Sequence, residues 1–260
     1  MQDGILRQEY EPCYYLMRHR FPLAGKDMER FGLIASVGLE DYQARQVLPH
    51  EFTEAPAIRD RVLLMESLTA NISPIMSLYR DAEGVLDRVF MQIMSGPPEI
   101  DAEDDSGNAT ALWRISNPGV QSQIKEFFTG RSLYLADGHH RYEAARQYQL
   151  DRHAESAEAK TGNLAHNFVM MTLIAFDDPG LVVLGYHRTL HGVPEDKLGN
   201  IKARLEELFD SESISGDADA LVDQVTRLGE DRRLLAAVEE KGARLLTLKD
   251  SAVGPDWGAL

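Results

Sequence analysis

Cysteine is nearly absent from this chain: Cys13 is the single one in 260 residues. That excludes an intramolecular disulfide and any cysteine-rich metal site. With no Cys-x-x-Cys pair either, no structural zinc is expected, and neither haem nor flavin is expected. Cys13 opens the strand-like run Cys13-Tyr14-Tyr15-Leu16-Met17 and reads as a buried structural thiol. Long apolar runs are missing too, and no segment has the length of a membrane span. The first residues, Met1-Gln-Asp-Gly-Ile-Leu6, lack the basic and apolar parts of a signal peptide. A cytoplasmic protein with no membrane partner is the expectation. Positive charge is the third shortage. Lys and Arg number 27 against 42 Asp and Glu, a formal net charge of −15. Such a surface repels nucleic acid and anionic membrane at long range, so nucleic acid is not an expected partner.

What is present fits an ordinary globular chain, long enough for one large domain or two small ones. Cys13–Met17 and Phe31–Val37 are strand-like and separated by a polar stretch around Pro22–Gly25, which predicts an antiparallel hairpin. Residues 57–70 carry Ile58, Val62, Met65 and Leu68 at helical spacing, with Pro56 near the start. Pro74–Tyr79 reads as a strand closed by an Asp-Ala-Glu-Gly turn. Residues 95–108, with Gly96-Pro97-Pro98 and an acidic run, read as a surface loop. Thr110–Ile115 is strand-like, Val120–Phe128 helical and 151–163 a polar loop. Phe168–Phe176 and the short Leu181–Leu184 read as strands, the latter leading into Tyr186-His187-Arg188. Helices over 194–209 and 218–229, with an acidic loop between them, precede strands near 233–238 and 243–248. The mixed order predicts α+β architecture.

The densest chemistry lies in Leu133-Tyr-Leu-Ala-Asp-Gly-His-His-Arg-Tyr-Glu-Ala-Ala-Arg146. A short apolar run stops at Asp137-Gly138, and a helix-forming segment follows. Free backbone N–H groups and the positive end of a helix dipole gather at such a place, a natural seat for phosphate. Gly138 lets an anion approach the backbone. Arg141 has the fork for two phosphate oxygens. His139 and His140 point in different directions if the turn is already helical. In the plainer alternative Asp137 caps the helix, Gly138 eases the turn and the histidines are surface groups.

A second constellation is His50-Glu51-Phe-Thr53. A carboxylate there suits a proton acceptor, with His50 and Thr53 near phosphate, and a solvated loop after Pro49 is the plain alternative. His187 and Arg188, at the end of the expected strand, and Asn167 before another are secondary candidates for phosphate or substrate. Arg61, beside Asp60 on the expected helix, is a further one, although adjacent helical residues do not face each other and a structural pair with other elements is expected. Magnesium, if a phosphate ligand brings it, would use one or two carboxylates, Asp137 or Glu51.

Asp137-Gly-His-His-Arg-Tyr-Glu-Ala144 resembles the signature of the DUF1015 family, a domain of unknown function. In the same order, Phe31–Tyr42, His50–Thr53, Asp60-Arg61, Ala70–Ile75, Leu78–Asp81, Leu112–Ile115, Asn167–Met170, Asp178–Leu181 and His187-Arg188 also resemble it. That family is similar to the ParB/sulfiredoxin fold, whose Gly-x-x-Arg turn opens a helix and handles nucleotide phosphates; here the turn is Gly138-His-His-Arg141. The resemblance implies a ParB/sulfiredoxin-like core with an added mixed sheet. It divides the chain into an N-terminal hairpin (1–45), the core (46–150) and a C-terminal α/β extension (151–260). Relatives with an activity are free serine kinases, which move a phosphoryl group from ADP or ATP to the hydroxyl of L-serine. On that reading Glu51 is the base, with Asp137 and His140 as catalytic partners. Gly138, His139, His140, Arg141, His50 and Thr53 hold phosphate. ADP or ATP with magnesium and a small-molecule acceptor would be the partners. The alternative is a nucleotide-binding or nucleotide-hydrolysing switch without transfer. Ala57, where the family carries lysine, and the absence of the family's outer segments imply a shortened or fragmentary member. A sulfiredoxin-like reductase is disfavoured, because its chemistry needs a cysteine in the turn.

Overall fold

The computed structural model describes residues 8–156, 158–160, 163–184, 187–229, 233–239 and 242–252. Met1–Leu6 and Tyr186 lie outside that set. The chain divides into two compact units, Met1–Leu184 and Gly185–Leu260.

The first unit is built on an eight-stranded mixed sheet. In chain order its strands are β1 (Tyr14–Leu23), β2 (Lys26–Gly38), β3 (Val47–Leu48), β4 (Ile75–Tyr79), β5 (Ile100–Glu103), β6 (Ala109–Ile115), β7 (Leu133–Asp137) and β8 (Phe168–Ala175). They lie side by side as β3-β7-β4-β8-β2-β1-β6-β5. Only β3 with β7 and β4 with β8 run parallel. The sheet therefore draws strands from all three segments separated at residues 45 and 150, and β8 sits at its centre.

The expected hairpin is β1–β2. Its strands run further than the apolar pattern does and close on Ala24-Gly25, both at positive φ (49° and 77°). Two such residues give a turn whose twist matches the strands it joins. One row of side chains crosses six strands in register: Trp113, Leu16, Leu33, Leu173, Ser77 and Leu135. All six are buried. The polar member, Ser77, donates its hydroxyl to the Met171 sulfur at 3.2 Å, so the core holds no stranded donor there.

The helices of this unit are α1 (Ala55–Leu68), α2 (Val85–Met94), α3 (Pro118–Phe128) and α4 (His139–Glu155). α2 and α3 add Leu86, Phe90, Ile124 and Phe127 to the core. α2 starts where the buried Asp81 carboxylate accepts the N–H groups of Val85 and Leu86, each at 2.8 Å. Asn117 caps α3 by accepting from Gly119 and Val120. α1 packs against α4 and buries no residue completely.

Several elements depart from the sequence expectation. α2 was not anticipated. The acidic stretch in 95–108 is β5, an exposed edge strand paired with β6, followed by a tight turn in which Asp104 accepts from Ser106 and Asn108. Residues 181–184 form no strand. Just before them, Asp178 accepts the N–H of Phe31 and of Gly180, each at 2.8 Å. A β-carbon on Gly180 would stand 2.1 Å from the Glu29 carbonyl oxygen. The Asp178–Leu181 stretch is thus a clasp onto β2.

The second unit holds α5 (Glu195–Leu208), β9 (Phe209–Ile214), α6 (Ala218–Gly229), β10 (Leu234–Glu239) and β11 (Gly242–Leu248). Its three strands form an antiparallel sheet in the order β10-β11-β9. β9 replaces the expected acidic loop. Together the units make an α+β protein. Among the described residues no helix is long and apolar enough to cross a membrane.

Candidate functional site

β7 ends at Asp137, and the chain turns at once into α4 through Gly138 at φ 93°. That conformation favours glycine. The spot is also crowded: a β-carbon there would lie 2.9–3.0 Å from the Arg141 guanidinium. The first intrahelical bond runs from the Tyr142 N–H to Gly138 O. The N–H groups of His139, His140 and Arg141 precede it at the positive end of the helix.

Arg141 braces the turn. Nη1 donates to Ser73 Oγ and Pro74 O at 2.7 Å and to Ser73 O at 3.2 Å, while Nη2 donates to Asp137 Oδ2 at 2.6 Å. Both terminal nitrogens therefore face protein acceptors, not the open fork expected of a phosphate grip. The Ala70–Ile75 stretch, of the same family resemblance as the turn, supplies those acceptors. Asp137 keeps 72% of its side chain in solvent.

The two histidines fasten the β3–α1 loop. The buried His139 accepts the His50 N–H at Nε2 (3.2 Å), and His140 accepts the Glu54 N–H at Nε2 (3.1 Å). A backbone N–H only donates, so both Nε2 atoms carry a lone pair and both Nδ1 atoms carry the proton. His139 Nδ1 faces Glu51 Oε2 at 3.6 Å. Burial, followed by the neighbouring His50, pushes the His139 pKa below the ordinary histidine value, with Glu51 opposing. The geometry and the shift agree on a neutral ring.

His50 packs edge-on against His139, ring centroids 4.4 Å apart. Its Nδ1 lies 2.7 Å from the Leu135 carbonyl oxygen. A carbonyl only accepts, so Nδ1 is protonated and Nε2 bears the lone pair. Glu51 is 54% exposed. Thr53 is half-buried, and Phe52 between them is fully exposed. Thus His50, Glu51, His139, His140, Asp137 and Arg141 form one contiguous cluster at the first turn of α4, with Thr53 one residue from the Glu54 tether.

Of the secondary candidates, Asn167 and Arg61 share a unit with the turn but make other contacts. Asn167 Oδ1 contacts Gln149 Nε2 (3.1 Å) and His153 Nε2 (2.7 Å). Those partners sit ten and fourteen residues beyond His139 on α4, about 15–20 Å along its axis. Arg61 pairs with its neighbour Asp60 at 2.9 Å and reaches the Ala57 carbonyl. The expected pair with other elements is thereby corrected: the long arginine curls back along its own helix surface. His187 and Arg188 are exposed in the non-helical segment of the second unit that precedes α5. His191 stands four residues after His187, but without a helix that spacing does not bring the rings to one face.

Among the described residues no group of three or more His, Cys, Asp or Glu is placed to hold a metal ion. Magnesium chelated by a nucleotide asks less of the protein, one or two carboxylates, and Asp137 and Glu51 both expose theirs. A cavity of about 810 Å³ lies beside α3, against Leu33, Val37, Val47, Ile124 and Leu133. No residue of the Asp137–Arg141 turn lines it. The convergence of polar groups, not the concavity, marks the site.

No curated protein and no solved structure matches the chain. One family model, described as a protein of unknown function (DUF1015), matches residues 1–260, and the chain belongs to that family.

Proposed function

We propose that this protein is a small-molecule kinase. It takes a phosphoryl group from ADP or ATP, with magnesium, and passes it to the hydroxyl of a free amino acid, L-serine first among them. One observation carries the reading: the loop bearing His50, Glu51 and Thr53 is tied onto the first turn of α4 by His139 and His140. Phosphoryl transfer asks for positioning and for donors around the moving group more than for covalent chemistry. The N–H groups at the start of α4 and the Nδ1–H of His140 supply donors. Asp137 and Glu51 would hold nucleotide-bound magnesium, and Gly138 would let a phosphate close on the backbone. Arg141 keeps the turn in shape. A strand, a Gly-x-x-Arg turn and a helix in succession support a ParB/sulfiredoxin-like core. A lone half-buried cysteine suits a reducing compartment such as the cytoplasm.

The test is nucleotide consumption by the intact protein with and without L-serine, with phosphoserine measured directly. Serine-dependent consumption is the expected result. Consumption indifferent to every hydroxyl amino acid would favour the switch, and no consumption would remove the kinase reading.

A further inference from the structure

Resting on that reading, the geometry points to His50, not Glu51, as the group that takes the proton from the acceptor hydroxyl. A general base needs a lone pair that no protein donor occupies. Three imidazoles stand in the site. The lone pair of His139 accepts the His50 N–H and that of His140 accepts the Glu54 N–H. Only His50 differs. Its Nδ1–H is fixed on the Leu135 carbonyl, so its lone pair lies on Nε2, which has no partner among the described residues. An imidazole oriented through Nδ1 and bare at Nε2 is the arrangement that makes histidine a base. Glu51 lacks the desolvation that would fit a carboxylate for the same work, since more than half of its side chain is exposed. Its carboxylate lies toward His139 Nδ1–H instead and steadies that ring.

The step balances as follows. The acceptor hydroxyl gives its proton to His50 Nε2 while its oxygen bonds to the terminal phosphorus. The bond from that phosphorus to the bridging oxygen breaks, and the shortened nucleotide leaves with the electron pair. His50, now an imidazolium still donating to Leu135 O, returns its proton to water.

The test compares His50→Gln with Glu51→Gln in the intact protein. His50→Gln should lower kcat by about 10²–10⁴-fold, with little change in KM. Glu51→Gln should lower kcat less than His50→Gln does. Carbethoxylation of the wild type, mapped by mass spectrometry, gives a readout independent of turnover: His50 should react well before His139 and His140. A kcat for His50→Gln within a few fold of the wild type, with Glu51→Gln the slower variant, would overturn the assignment while leaving the kinase reading intact. Slow carbethoxylation of His50 relative to His140 would overturn it whether or not serine is the acceptor.

Discussion

A neutral, buried histidine that accepts a backbone N–H is sensitive to acid. His139 is 2% exposed, and its pKa is lowered chiefly by burial. The unfolded chain therefore takes up a proton before the folded one as pH falls. By linkage, the stability tied to the neutral ring is complete above the ordinary histidine value of 6.5 and is lost as pH drops through the lower folded value. His19, also lowered by burial, adds to the same slope. Denaturant unfolding between pH 7 and 5 should show stability falling with acid, and His139→Gln should flatten part of that fall. At this same scale the identities of the site residues were legible, because Asp137, Gly138, His139, His140 and Arg141 are contiguous. Their duties were not. That Arg141 turns inward to Ser73 and Pro74, and that two adjacent histidines spend their acceptors on a loop about 86–89 residues away in sequence, depends on the fold that brings those acceptors near.

Among the elements, β7, α4 and the β3–α1 loop form the working group. The loop is held at one end by His50, bonded to His139 and to Leu135 O, and at the other by Glu54 on His140, so each end should open separately. Removing the acceptor with His140→Ala should speed hydrogen exchange at the Glu54 amide by about tenfold, the worth of one net hydrogen bond. The amide of His50, held by His139, should change less. A uniform rise across both amides would show that the loop opens as one piece.

The element pattern also explains what could be read. β1, β2, β4, β6, β7 and β8 carry the buried row, apolar but for Ser77, and strands at or near each of them are expected from the sequence. β5 and β9 are acidic and exposed; they are strands because a neighbour offers them backbone partners, which composition does not record. α2 had a legible signal. Val85, Leu86, Val89, Phe90, Ile93 and Met94 repeat at helical spacing after the Asp81–Gly84 turn.

For the molecule as a whole, charge dominates. A net −15 opposes the approach of a nucleotide that is itself an anion. Salt screens that repulsion over about 10 Å at 0.1 M. On the proposed kinase reading, association of ADP, followed by stopped flow, should therefore quicken as sodium chloride rises from low ionic strength toward 0.1 M. A steep slowing would mean that a local cationic field outweighs the global charge. Mixed α+β class was readable from the order of elements. The division after Leu184 was not, because the strand that completes the large sheet, β8, comes late in the chain, beyond the polar stretch 151–163.

One turn of α4 holds both ends of a single excursion of the chain. Glu54 is tied to His140, and Ser73 and Pro74 are tied to Arg141; between them runs α1, which has no fully buried residue. The turn is a buckle and α1 the strap it fastens. A ligand that shifts the His140 ring and the Arg141 fork together would loosen both attachments of α1 at once, leaving the helix only its packing on α4. Events a few ångströms across at the start of α4 would then be displayed on the outer face of α1, at Leu63, Leu64 and Leu68, which already meet solvent.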